Sequence, residues 1–283
     1  MADPVVTRFA PSPTGYLHIG HAHSALDAWR RAKESGGRFI LRIEDIDAGR
    51  CKPEFEEAIY EDLQWLGLEW ERPVRRQSDH MADYREALSV LETAGMTYPC
   101  FCTRGHIRAE IQRMGGAPHA DAGEAVYPGT CRALSDDERQ ARIAAGEQHA
   151  IRLRMAQAAE KVGPLHWHDG GRGDIPIDVL RHGDVVIARK DIPTSYHLAV
   201  TIDDDKQGVT LVTRGEDLVA YTDIHRVLQA LLGLRVPGYH HHKLLTDEDG
   251  NRLAKRDRSI TLRALRESGA TPEGISKMAG IET

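Results

Sequence analysis

The chain has 283 residues, enough for one large domain or two modest ones with a full hydrophobic core. Hydrophobic residues make up 41% and charged residues 28%, no apolar run approaches membrane-spanning length, and Met1-Ala2-Asp3-Pro4 lacks the basic and apolar parts of a secretory leader, so a cytoplasmic globular protein with no membrane partner is expected. Lys and Arg total 37 against 43 Asp and Glu, a net charge of -6, which excludes an all-over cationic surface for nucleic acid but leaves room for a local basic face.

Residues 5–10 (VVTRFA) read as a short buried strand, broken by Pro11-Ser-Pro-Thr-Gly15. Over 18–32 the period becomes helical, with Ala22, Ala25, Leu26, Trp29 and Ala32 on one face, and Gly36-Gly37 ends the helix. Residues 38–43 (RFILRI) are again strand-like. This β-α-β order predicts a parallel, doubly wound α/β sheet with a right-handed crossover. A second helix over 53–66 starts at Pro53 and stops at Gly67, with Phe55, Ile59, Leu63 and Leu66 on its apolar face; a third covers 81–94.

Residues 98–180 change character. They hold three of the four cysteines, the loop Gly115-Gly-Ala-Pro118, a polar helix near 135–145 and the alternating run Ile151-Arg-Leu-Arg154. We expect a small domain inserted between two halves of the parallel-sheet domain. The sheet is expected to resume at 185–188 (VVIA) and 209–212 (VTLV), followed by a helix over 221–232, a charged loop over 247–258 and one short terminal helix. The expected divisions are 1–97, 98–180, 181–240 and 241–283.

Two motifs carry chemistry. The first, Pro11-Ser-Pro-Thr-Gly-Tyr-Leu-His18-Ile-Gly20-His21, joins a strand to a helix at the mouth of a parallel sheet, where ligands bind. The helix N-terminus favours a phosphate, Gly20 permits close approach of a nucleoside, and His18 and His21 share one face of the first turn, where they can donate to phosphate oxygens. The second is Arg252-Leu-Ala-Lys255-Arg256, whose cations suit a triphosphate. Each is ordinary alone; together they form a pattern.

With them the sequence resembles the class I aminoacyl-tRNA synthetases, whose signatures are His-Ile-Gly-His and a Lys-Met-Ser-Lys-Ser-type loop. The segments Arg8-Phe-Ala-Pro-Ser-Pro-Thr-Gly, Arg42-Ile-Glu-Asp-Ile-Asp47, Tyr196-His-Leu-Ala-Val-Thr-Ile-Asp-Asp204 and Val212-Thr-Arg-Gly-Glu-Asp-Leu218 look like the glutamyl/glutaminyl branch, over roughly residues 5 to 258. The resemblance implies a Rossmann-type catalytic domain, ATP with Mg²⁺ as substrate, and His18, Gly20, His21, Arg252 and Lys255 at the nucleotide, with His18, His21 and Lys255 catalytic. By family position, His241 of the run Tyr239-His-His-His-Lys243 faces the nucleotide and the other two histidines are exposed. The second signature departs from the usual pattern, with Arg252 in place of the first Lys and Ala254 in place of Ser.

A glutamate pocket needs two cations for the two carboxylates and one anion for the α-ammonium. Arg8 and Arg214 suit the carboxylates, Glu44 the ammonium, and Tyr196 and Ser12 add hydroxyls. The resemblance places the same five residues at the amino-acid pocket. A glutamine pocket has less need of a second cation, so L-glutamate is the expected substrate.

Cys100-x-Cys102 and Cys131 supply three thiolates of a tetrahedral zinc site, for which His106 or His119 would be the natural fourth ligand. The resemblance instead implies Tyr127, four residues before Cys131, and a structural Zn²⁺ held by Cys100, Cys102, Tyr127 and Cys131. Cys51 stands apart as a plain thiol.

Only 27 residues follow Arg256, too few for the helical anticodon-binding domain of a glutamyl-tRNA synthetase. The chain is therefore similar to the glutamyl-queuosine tRNA(Asp) synthetases. That resemblance implies activation of glutamate without tRNA and transfer to queuosine at the wobble position of tRNA(Asp), with no obligate protein partner. Glutamylation of a tRNA 3′ end, or a non-catalytic RNA-binding role, are the alternatives.

Overall fold

The computed structural model describes residues 4–113, 126–245 and 260–281. Strand β1 (Val6–Phe9), helix α1 (Ile19–Glu34) and strand β2 (Arg38–Ile43) form the expected crossover, with β1 and β2 parallel. Ala22, Ala25, Ala28 and Ala32 are buried along α1, small side chains that let the helix lie close to the sheet. The return into β2 depends on Gly37. A Cβ there would lie 1.9 Å from the Val5 carbonyl oxygen, so only glycine lets the chain turn back beside β1.

Helix α2 (Pro53–Trp65) leads to the short strand β3 (Arg75–Arg76), parallel to β2, and to α3 (Met81–Thr93). Next come β4 (Thr97–Cys100), α4 (Arg104–Arg113), α5 (Asp136–Ala144), β5 (Ala150–Leu153), α6 (Met155–Val162) and the hairpin strands β6 (His166–Asp169) and β7 (Gly173–Pro176). Ser135 caps α5 with a reciprocal Glu138 bond, the signal that marks its start in the sequence. Strand β8 (Val186–Ala188), α7 (Tyr196–Lys206), β9 (Leu211–Gly215), α8 (Tyr221–Leu232) and β10 (Gly238–His242) follow. The last described elements are α9 (Leu262–Glu267) and α10 (Pro272–Met278), two short helices where one was expected.

The strands form three sheets, ordered β1-β2-β3, β7-β6-β10-β9 and β4-β5-β8. Their membership differs from the expected strand placement twice. Residues 186–188 do not resume the parallel sheet; β8 pairs antiparallel with β5. An apolar run reads alike in either kind of sheet, because burial on both faces produces it. Conversely, β6 lies inside the segment expected to be an insertion but pairs in parallel with β10. Its alternating His-Trp-His-Asp pattern shows only that one face is buried, not which sheet it joins.

The first two sheets meet at β1 and β9. The Thr210 N–H donates to the Val6 carbonyl at 3.0 Å, and the Val6 N–H donates to Thr210 Oγ1 at 2.8 Å. From that seam the chain crosses over to β2 on one side and to β10 on the other. Such a reversal opens a crevice at the C-terminal ends of the two central strands. Helices α9 and α10 pack against the core behind α1. Leu262 and Ile275 share a core with Ala25, Leu41 and Leu63, and the Leu262 N–H donates to the Leu17 carbonyl at 2.8 Å.

Candidate active site

A cavity of about 640 Å³ fills this crevice. Arg8, Ser12, Glu44, Tyr196 and Arg214 line it, as do His18, Gly20 and His21, so the two expected clusters form one site. Arg252, Lys255 and His119 lie outside the described residues. The chain on either side of 246–259 is at the site: Leu245 lines the cavity and Thr261 bridges to His18. A second cavity, about 410 Å³, shares Ser12, Thr14, Glu44 and Tyr196 with the first and adds Asp47, Arg50 and Arg189.

The two histidines at the start of α1 form a capping box. His18 Nδ1 accepts from the Gly20 N–H at 3.1 Å, and His21 Nδ1 accepts from the His18 N–H at 3.2 Å. With Nδ1 accepting, each neutral ring carries its proton on Nε2. Burial lowers the His18 pKa; burial and then His18 bring His21 down to about 3. Both rings are therefore neutral donors at neutral pH. The sequence reading expects the helix N-terminus to offer its N–H groups to a phosphate, but the His18 ring takes up the Gly20 N–H and presents an Nε2–H in its place. Gly20 serves the same ring, since a Cβ would come within 3.0 Å of His18 Cε1.

At the other end of the cavity lies a buried charge network. Arg8 Nε pairs with Asp204 Oδ1 at 3.1 Å, and Arg8 Nη1 donates to the Thr213 carbonyl at 3.1 Å. Arg42, fully buried on β2, contacts Asp204 Oδ1 at 2.8 Å and Glu44 Oε1 at 3.2 Å. Asp203 accepts from Arg75 Nε at 2.8 Å and from the Tyr84 hydroxyl. Burial alone would raise the Asp204 carboxyl, but Arg8 and Arg42 hold it below the usual range. For Glu44, burial outweighs Arg42 and Arg8, and its pKa rises. Glu44 is thus a carboxylate short of positive charge, suited to an incoming ammonium.

Arg214, on β9, is the opposite case. Its partners are His241 Nε2 at 3.1 Å, His225 Nδ1 at 3.3 Å, Thr222 Oγ1 at 2.6 Å and the Tyr196 hydroxyl at 3.5 Å. Among the described residues no carboxylate lies within ion-pair distance of this buried guanidinium.

His241 departs from its expected place. Its side chain is buried against Asp169 and Arg214 and does not line the cavity, whereas His242 does and stands 3.0 Å from Ser24 Oγ. Strand alternation puts neighbours on opposite faces but does not say which face meets the ligand. His242 is buried rather than exposed.

The sulfurs of Cys100, Cys102 and Cys131 lie within 4.8 Å of one another. Tyr127 joins them, its hydroxyl 3.6 Å from Cys102 Sγ and accepting from the Cys131 N–H at 2.8 Å. His106 is exposed on α4, outside the group. Three thiols and a phenol suit a thiophilic cation such as zinc better than a hard, oxygen-seeking ion. Cys51 is apart, at the wall of the second cavity.

Sequence reasoning assigned no role to Arg42, Asp204, Thr222 or His225. Arg42 and Asp204 lie in the very segments that carried the resemblance, but a β2–α7 ion pair has no sequence spacing to reveal it.

A family model described as the catalytic domain of class I tRNA synthetases (E and Q) matches residues 4–280. A glutamyl-Q tRNA(Asp) synthetase of Rhodobacter capsulatus is 49% identical over 98% of this chain and 100% of its own length. A glutamate–tRNA ligase of Aquifex aeolicus is 38% identical over 96% of this chain and 55% of its own. Among solved structures, a glutamate tRNA ligase from Elizabethkingia meningosepticum in complex with its amino acid superposes with a TM-score of 0.73 at 29% identity, over 95% of this chain; this chain spans about half, 54%, of that one.

Proposed function

The chain belongs to the class I tRNA synthetases of the glutamyl and glutaminyl branch and is a ligase that uses ATP with Mg²⁺, and from that premise we propose that it activates L-glutamate without RNA and transfers it to queuosine of tRNA(Asp). The observation that carries the amino-acid choice is Arg214. A buried guanidinium whose hydrogen-bond partners, among the described residues, are all neutral needs an anion, and Arg8 and Glu44 face the same cavity. The 49% identity along the full length of a glutamyl-Q tRNA(Asp) synthetase supports the acceptor.

In the first step the glutamate α-carboxylate oxygen attacks the α-phosphorus of ATP, the P–O bond to pyrophosphate breaks, and glutamyl-adenylate forms. Arg8 and Arg214 neutralise the glutamate carboxylates and Glu44 holds the ammonium, which aims the attacking oxygen. His18 and His21 donate Nε2–H to phosphate oxygens as charge builds there; Lys255 and Arg252 add positive charge. No protein nucleophile is needed. In the second step a hydroxyl of the queuosine ring attacks the glutamyl carbonyl, loses its proton, and AMP leaves. The second cavity, which adjoins the first at Ser12 and Tyr196, is the route by which that hydroxyl reaches the carbonyl.

Cys100, Cys102, Tyr127 and Cys131 would hold a zinc ion. When bound it supplies structural cross-linking, tying the end of β4 to the turn at 130–133.

Radiolabelled glutamate and tRNA(Asp), with and without queuosine, test the acceptor. Label is expected only on the queuosine-bearing tRNA, and is expected to survive removal of the 3′ adenosine. Label on the 3′ end would mean an acceptor-end glutamylating enzyme instead.

A further inference from the structure

Arg8 and Arg214 face one cavity, but their charges are handled differently. Arg8 is already paired with Asp204. Around Arg214, four of the five guanidinium N–H groups face neutral acceptors, and one of those acceptors, His241, has an acidic partner of its own. That partner is Asp169, whose Oδ2 lies 2.7 Å from His241 Nδ1 and also accepts the His241 backbone N–H at 3.1 Å. We propose that Asp169, acting through the His241 imidazole, is a positioning residue that keeps Arg214 aimed and unneutralised, and so sets the choice of glutamate over glutamine. The inference rests on Arg214 receiving the side-chain carboxylate of glutamate.

The tautomers follow from the bonds. A carboxylate at Nδ1 fixes the proton there, which leaves the Nε2 lone pair to accept from Arg214 Nε. Burial, then Arg214, bring the His241 pKa to about 4 against the pull of Asp169, so the ring stays neutral. Burial works against Asp169, yet its bonds from His241 and Gly171 keep its carboxyl below the usual range. On the other side His225 Nδ1 accepts from Arg214, and its Nε2 lies 3.2 Å from His197 Nδ1. Burial and Arg214 push both of these histidines down, His197 to about 3. The shell thus orients the cation without cancelling it. A glutamine carboxamide in the same place would bring no charge and leave a buried guanidinium unpaired, which is how a polar site rejects a near-isostere.

Asp169→Asn presents an NH₂ to His241 Nδ1, drives the ring to the Nε2–H tautomer and sets donor against donor at Arg214. His241→Leu removes the acceptor, and His241→Gln restores one. In glutamate-dependent pyrophosphate exchange, Asp169→Asn and His241→Leu are expected to raise the KM for glutamate about ten- to hundredfold. The KM for ATP and the kcat should stay within about threefold, glutamate-over-glutamine preference should fall by a similar factor, and His241→Gln should recover most of the loss. A change in the KM for ATP alone, or in kcat with the glutamate KM intact, would overturn the proposal. Imidazole nitrogen NMR of the unaltered protein tests it if a variant does not fold: Nδ1–H is expected for His241 and Nε2–H for His225, and the reverse would overturn it. Arg214→Gln separates the two readings. If that change leaves the glutamate KM unaltered, the carboxylate reading itself fails; if it raises it while Asp169→Asn and His241→Leu do not, only the role of Asp169 fails.

Discussion

Two polar clusters in this molecule solve the problem of burial in opposite ways. Around the amino-acid end of the cavity, Arg8, Arg42 and Arg75 face Glu44, Asp203 and Asp204, three cations against three anions joined by direct pairs. That cluster holds its own geometry before any ligand arrives. Around Cys131, three thiols and the Tyr127 phenol crowd together with no cation among the donors. Their pairing is among themselves, sulfur with sulfur and with the phenol. The first arrangement pairs its own charges, while the second is a donor set that could hold a metal ion.

Breaking the first cluster at its centre should have the larger effect. Arg42→Met leaves Asp204 and Glu44 with less positive charge in a buried site, and unfolding free energy is expected to fall by about 3–5 kcal/mol, read from urea denaturation. A loss under about 1 kcal/mol would mean that the carboxylates simply take up protons or rotate to water, and that the network is not self-supporting.

The second cluster should respond locally. Purified protein is expected to carry on the order of one zinc ion per chain, and Cys131→Ser to lose most of it, measured by atomic absorption. Because the cysteines lie outside the cavity, RNA-free glutamate activation by Cys131→Ser should stay within a few-fold of the parent, while protease sensitivity between β4 and α5 rises. Full metal retention by that variant would remove Cys131 from the ligand set.

Much of this was readable from the chain alone. The spacing of Ala22, Ala25, Leu26 and Ala32 delimits α1, and Pro53 with Gly67 brackets α2. Each of the four segments that carried the family resemblance, beginning at Arg8, Arg42, Tyr196 and Val212, contributes lining residues to one cavity. What could not be read depends on tertiary pairing. The run at 185–188 is equally apolar whether it joins β5 or a parallel neighbour, and only the sheet order decides. In Tyr239-His-His-His, alternation separates His241 from His242, but the face that meets the ligand is fixed by β6 and α1. Arg42 stands in one of the segments that carry the resemblance, with nothing in its spacing to name a partner. Its importance lies in Asp204, more than 160 positions away and brought beside it by α7.

We propose that this cavity selects glutamate and activates it unaided. The most direct test is ATP–pyrophosphate exchange with no RNA present, run with glutamate and then with glutamine. Glutamate-dependent exchange, with glutamine weaker by about a hundredfold or more, is the predicted result. Exchange that requires added tRNA, or that proceeds equally well with glutamine, would contradict the account.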